Sequence, residues 1–226
     1  MSIRKPLIFS LCVIALMLGI SIWGWFWTPS HALIPVHWGM HFRPNAYAPK
    51  TFGLAVMPAT GMLLTLLFVA LPFLEPRRNN LESSRQLYFA GWYGSLALLL
   101  VVHTLIVLTA IGVLVDVPQV VVGATAVLML VLGNFFGKSR STFFVGLRLP
   151  WTLSSELAWS KSNRLAGLGF VATGILTLVA LIAVNTKIAT LVLLAGLLLS
   201  TIVASIAAYF YWKHDDNKFN GGSLHE

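Results

Sequence analysis

Residues 188–211 read IATLVLLAGLLLSTIVASIAAYFY, an unbroken apolar run with no charged side chain, closed by Lys187 on one side and by Lys213 just beyond Trp212 on the other. At 1.5 Å per residue a helix of this length crosses the ~30 Å hydrocarbon core of a bilayer. Five further runs of the same kind lie at 7–27, 52–74, 88–115, 119–136 and 165–184. The pattern predicts an all-α integral membrane protein with six transmembrane helices. The many Val, Ile and Thr residues do not argue for strands, because an open sheet cannot satisfy its edges in lipid. Composition agrees: of 226 residues 58% are hydrophobic and 10% charged, whereas soluble domains carry about a quarter charged residues. Six spans of roughly 20 residues leave room for one compact membrane domain with loops and a tail.

Charge sets the orientation. Arg4, Lys5, Arg77, Arg78, Arg85, Lys138, Arg140, Arg148, Lys161, Arg164, Lys213 and Lys218 fall on one side of a six-span chain, and Arg43, Lys50 and Lys187 on the other. The positive-inside rule then predicts both termini cytoplasmic, with an outer loop at 28–51. Trp23, Trp25, Trp27 and Trp38 would contribute to the outer aromatic belt. The net charge of +8 thus reports topology and gives no reason to expect direct nucleic-acid contact. Arg4-Lys5 and Ser30-His31-Ala32 resemble the ends of a signal peptide, but the apolar core between them exceeds the usual 7 to 15 residues, which favours an uncleaved anchor. The lone Cys12 excludes an intrachain disulfide and a cysteine metal cluster. The final residues, 221–226, are assigned no function.

Few residues outside the loops carry chemistry. His31, His37 and His41 are candidate metal ligands in the outer loop, with His37 and His41 on one face if Pro35 starts a helical turn. Against this, residues 28–51 contain no Asp or Glu, and the His-Glu-x-x-His pattern is absent. Loop hydrogen bonding or partner contact is the favoured reading, with no metal and no cofactor. His103 is the one ionisable residue deep within a span. It reads either as part of a polar path or as a neutral imidazole bonded to a neighbouring helix through Ser or Thr. Gly133-Asn134-Phe135-Phe136-Gly137-Lys138-Ser139 has one residue too few between its glycines for a phosphate-binding loop, and no strand precedes it. The acids Glu75, Glu82, Asp116, Glu156, Asp215, Asp216 and Glu226 are scattered, so paired-carboxylate chemistry is not expected.

The inner loop from Lys138 to Arg164 holds more information. Five basic residues, Lys138, Arg140, Arg148, Lys161 and Arg164, alternate with Phe143, Phe144, Trp151 and Trp159. Pro150 breaks the chain, Thr152 can cap a helix beginning with Ser154, Ser155 and Glu156, and Leu153, Leu157 and Trp159 give it an apolar side. The expectation is a short interfacial helix before span five, which either anchors the bundle at anionic headgroups or docks a cytoplasmic partner. Arg148 and Trp151, flanking Pro150, would offer a guanidinium fork and an indole at the cytoplasmic surface.

The stretch Gly137-Lys138 through Val145-Gly146-Leu147-Arg148-Leu149-Pro150-Trp151-Thr152-Leu153-Ser154-Ser155-Glu156, followed by Trp159, Lys161, Arg164 and Gly167, resembles the signature of the SdpI family. Ile34-Pro35-Val36-His37-Trp38, then His41, Pro44 and Lys50, is similar to the outer-loop motif of the domain of unknown function that commonly precedes the SdpI module. The resemblance implies an N-terminal module at 1–118, an SdpI-like module at 119–214 with its inner loop at 137–164, and a tail at 215–226. Phe42 and Asn45 stand where that pattern has Gly and Asp; Thr142, Leu149 and Ser162-Asn163 stand for Asn, Thr and a Thr-His pair.

The family's members are multi-pass plasma-membrane proteins, and its namesake gives immunity to a secreted toxin while recruiting a repressor to the membrane. The resemblance therefore implies a non-enzymatic immunity or sensor protein of the bacterial plasma (inner) membrane. Its partners would be membrane lipids, a secreted peptide or protein toxin outside and a cytoplasmic regulator inside. A small transporter or flippase using His103 is the alternative, and a metal-dependent enzyme built on the outer histidines a more distant one. In a Cys12-free background, cysteines introduced near Pro44 and Thr186 are expected to react with an impermeant thiol reagent from outside. Labelling near Ser83 or Ser155 instead would reverse the topology.

Overall fold

The computed structural model describes residues 1–39 and 41–218; residues 219–226, including the end of the tail, lie outside the described residues. Six helices are long and apolar enough to cross a membrane: α1 (Arg4–Trp27), α2 (Lys50–Leu74), α4 (Arg85–Ala110), α5 (Val117–Phe136), α7 (Glu156–Ala183) and α8 (Thr186–Lys213). Two short helices, α3 (Arg78–Ser83) and α6 (Pro150–Leu153), lie in the connections after α2 and before α7. The protein is a multi-pass helical membrane protein.

Helix ends depart from the apolar runs where local chemistry overrides hydropathy. The third span stops at Ala110 rather than near 115, because the chain turns at Gly112, whose φ of 84° is open to glycine. The fifth span begins at Glu156, well before the apolar run at 165, because the Ser155 hydroxyl accepts the Ala158 N–H at 3.0 Å and starts the helix there. The cap is therefore Ser155 and not Thr152. In the last span Asn185 plays the same part, accepting from the Ile188 N–H at 2.9 Å.

The outer loop also corrects an expectation. Leu33–Trp38 (β1) and Pro44–Pro49 (β2) pair as an antiparallel ribbon, with Ile34 opposite Ala48, His37 opposite Ala46 and a register shift around Val36. Pro35 thus lies in a strand and starts no helical turn. A two-stranded ribbon has only edges, so Pro35, Pro44 and Pro49 can sit in it without breaking an inner ladder. Phe42, in the turn, has a φ of 58°; this is the position where the family pattern has glycine.

By contact the chain divides into two units, with boundaries inside helices at 69/70, 91/92 and 125/126. One unit, residues 2–69 and 92–125, holds α1, the hairpin, most of α2 and most of α4. One core cluster is Ile34, Leu54, Ile106 and Val107. Deeper in, Trp92 is fully buried, stacks on Phe68 with ring centroids 5.2 Å apart and donates to the Ser10 hydroxyl at 2.8 Å.

The other unit comprises Met1, residues 70–91 and the chain from Ala126 onward. Here α5 and α7 run antiparallel with their backbones in contact: a Cβ on Gly167 would lie 2.5 Å from the Gly133 carbonyl oxygen. Without a hydrophobic driving force between helices in lipid, such close backbone approach at small residues is what gains van der Waals contact. Gly169 and Gly196 meet Ser200 and Thr173 across α7 and α8 in the same manner. Gly167→Ala is expected to lower stability by about 1–3 kcal/mol through overpacking, read as a lower melting temperature in detergent. Gly19→Ala, with nothing within 4 Å of its Cβ, serves as the control that stays unchanged.

Candidate functional site

Residues 139–149 form neither helix nor strand, so their backbone polar groups must find partners other than a regular ladder. Side chains supply them. The Arg140 N–H donates to Ser84 Oγ at 2.8 Å, and Asn80 Nδ2 donates to the Ser141 carbonyl at 2.7 Å. Glu75, 1% exposed, accepts the Phe143 N–H at 3.0 Å through Oε2 and the Arg77 N–H at 2.9 Å through Oε1. Arg77 then reaches Ser141 Oγ and the Leu153 carbonyl (3.0 Å) with its guanidinium, which lies over the Phe143 ring at 5.1 Å.

From the other direction α7 grips the same segment. Trp159, fully buried, donates its indole N–H to the Ser139 carbonyl at 3.0 Å. Asn163, one turn further on, accepts the Leu147 N–H at 2.7 Å and donates to the Trp159 carbonyl at 2.9 Å. Between them Gly146 adopts a φ of 97°, and a Cβ there would lie 2.6 Å from the Trp159 ring. Both the backbone conformation and the space demand glycine. Thr152 closes the segment, accepting the Leu149 N–H and donating to the Leu147 carbonyl, each at 2.8 Å. Thr142 binds the Val145 N–H and carbonyl. Residues 139–149 thus make a strap whose shape is held by side chains from the 75–84 connection and from α7.

The motif residues separate into two sets. Gly146, Thr152, Ser155 and Trp159 are internal to the strap and its helix cap, whereas Lys138, Arg148, Lys161 and Arg164 are exposed. Glu156 is exposed in the first turn of α7, where its charge suits the helix N-terminus. Arg148 spends one donor on the Phe143 carbonyl at 2.8 Å and presents the rest outward. Trp151 is half-buried: its ring packs edge-on against Tyr209 of α8 with centroids 5.9 Å apart. Pro150 opens α6. Ser155 also donates to Asp215, bringing the segment after α8 onto the cap of α7. Beside this contact lies an open cleft of about 550 Å³ lined in part by Arg77, Asn80, Leu153, Glu156, Leu157 and Asn217.

Glu75, Arg77, Asn80, Ser84 and Asp215 were not expected at the site. Their only signal in the sequence is the Glu75-Pro76-Arg77 step directly after a span, where an acid and a base flank a helix-breaking proline.

On the hairpin, His37 Nδ1 lies 2.6 Å from Asn45 Oδ1, and both His37 and His41 are exposed. Trp38 packs onto the core around Ile34, while Pro44 begins β2 and His31 is exposed in the preceding turn. Among the described residues no three His, Cys, Asp or Glu side chains come together as a metal site. Lys50 is buried, donating to the Thr28 carbonyl at 2.7 Å with its ammonium 4.4 Å from the Trp25 ring centre. His103, fully buried, places Nε2 3.0 Å from both Ser21 Oγ and the Met17 carbonyl. This is the helix-to-helix bond through a serine that one of its two readings describes.

Six apolar helices and a side-chain-held strap before the fifth define a small polytopic membrane protein whose signature is a structured loop. Residues 138–208 match the SdpI/YfhL protein family. Over 217 residues the chain is 25% identical to Immunity protein SdpI of Bacillus subtilis (strain 168), covering 96% of this chain and 99% of that protein. The match to the SdpI/YfhL family thus spans the strap, α6, α7 and most of α8. No solved structure matches it.

Glu75→Gln replaces an acceptor facing two backbone donors by an amide that can accept only one. A buried donor left unpaired costs about 1–3 kcal/mol, so a melting temperature several degrees lower is expected in detergent. Arg148→Lys, at an exposed position, is expected to change stability by no more than about 0.5 kcal/mol.

Proposed function

We propose that this chain is an immunity protein of the bacterial plasma membrane, protecting the cell against a secreted antimicrobial peptide or protein, or sensing it, by binding and without catalysis. The observation that carries this reading is the end-to-end match to Immunity protein SdpI, which covers the hairpin as well as the strap. The hairpin offers the surface for the toxin: an antiparallel ribbon with exposed His37, His41 and Tyr47. In this reading the exposed cations of the inner loop hold a cytoplasmic regulator or lipid headgroups, with both chain termini on that same side. Arg148 suits either role because its planar fork can take a carboxylate or phosphate in two hydrogen bonds.

The test is deletion of the gene followed by challenge with peptides secreted by the same and neighbouring strains. Sensitivity that returns to normal on complementation is expected; a deletion strain as resistant as its parent would sink the reading. In the complemented strain, replacing His37 and His41 together by Ala is expected to lower the tolerated toxin concentration by about thirtyfold, the ~2 kcal/mol of one interface hot spot. Membrane levels of the protein should stay unchanged.

A further inference from the structure

Three cations at the strap's end of α5 and α7 have no ion-pair or hydrogen-bond partner among the described residues. Lys138, Lys161 and Arg164 are all exposed, and none makes an ion pair or side-chain hydrogen bond with another described residue. They are neighbours in space. Gly137 lies against the stem of Arg164, whose Cα, Cβ and Cγ would be 2.9, 3.1 and 3.3 Å from a Cβ on the glycine, so the absent side chain lets Arg164 pass beside Lys138. Lys161 precedes Arg164 by three residues on α7 and shares its face.

Depth matters as much as charge. Lys138 is two residues beyond the end of α5 at Phe136, and Arg164 directly precedes the apolar run that starts at 165. All three side chains therefore lie at the ends of these apolar spans, where hydrocarbon gives way to headgroups. Aromatic rings border them on the membrane side: the Lys138 ammonium is 5.2 Å from the Phe135 ring centre, and Phe136 packs edge-on against Phe170 at 5.0 Å. Glu156, the nearest acid along α7, lies five residues before Lys161 and so points away from their face.

We propose that Lys138, Lys161 and Arg164 bind the phosphate of an anionic phospholipid headgroup, its acyl chains lying along α5 and α7. A protein partner would have to reach headgroup depth to meet these charges, whereas a lipid phosphate is already there. Basic sites between spanning helices suit such headgroups, and each charge near the surface contributes about a fivefold gain in affinity.

The purified full chain in detergent, titrated with short-chain phosphatidylglycerol or phosphatidylcholine of the same acyl length and followed by native mass spectrometry, tests this. Preferential binding of phosphatidylglycerol is expected. The triple variant Lys138→Gln, Lys161→Gln, Arg164→Gln should lose it by roughly two orders of magnitude, while Lys187→Gln, an exposed charge at the far end of the α7–α8 pair, should not. Equal binding of both lipids, an unchanged triple variant, or an equal loss in Lys187→Gln would overturn the proposal. So would competition by inorganic phosphate as effective as by the lipid, which would show a phosphate site unrelated to the membrane. None of these outcomes depends on toxin immunity.

Discussion

An eleven-residue strap with no regular secondary structure sits at the edge of a membrane protein, and its backbone donors and acceptors must still be met. Residues 139–149 meet that constraint with side chains: Trp159 for the Ser139 carbonyl, Asn80 for Ser141, Glu75 for the Phe143 N–H, Asn163 for Leu147 and Thr152 for Leu149. The choice of residues around the strap follows. A buried carboxylate such as Glu75 is costly without partners, and here two backbone N–H groups point at it. Gly146 is required because Trp159 occupies the space a side chain would fill.

Holding the strap from within leaves its cations free. If Arg148, Lys161 or Arg164 were needed to stabilise the loop they would be committed to intramolecular pairs, but they are exposed and Arg148 uses a single donor internally. The signature motif is thus two motifs superposed. One set of residues builds the shape, and the other displays charge on it. Substitutions in the first set act through stability, whereas those in the second can alter binding at nearly constant stability, because exposed charges contribute little to the fold.

The unit that carries the hairpin solves a different problem. A two-stranded ribbon is marginal alone in water, and this one is anchored by a single fully buried side chain, Ile34, which fits against Gly53 and joins Leu54, Ile106 and Val107. Lys50, at the start of α2, ties the C-terminal end of α1 by bonding the Thr28 carbonyl. Lys50 and His103, two ionisable residues of this unit, are both engaged inside it. On the ribbon itself His37 and His41 stay exposed.

The six spans were legible because each apolar run is long, and the energy of placing twenty apolar side chains in hydrocarbon is a sum over sequence that needs no tertiary information. The resemblance of the strap to the SdpI signature was also legible, since that signature is local in sequence. What tertiary structure alone decided were meetings between distant residues: Glu75 with Phe143, Asn80 with Ser141, Ser155 with Asp215, Ser21 with His103. The glycines flanking Asn134-Phe135-Phe136 look like a failed phosphate loop along the chain, and only the approach of α7 shows that Gly133 and Gly137 make room for Gly167 and Arg164. The hairpin was hidden for a related reason. Three prolines and two histidines carry no clear period, and the strands are seated by Ile34 packing against Gly53 and the core around it, a fact about the folded helices and not about residues 33–49.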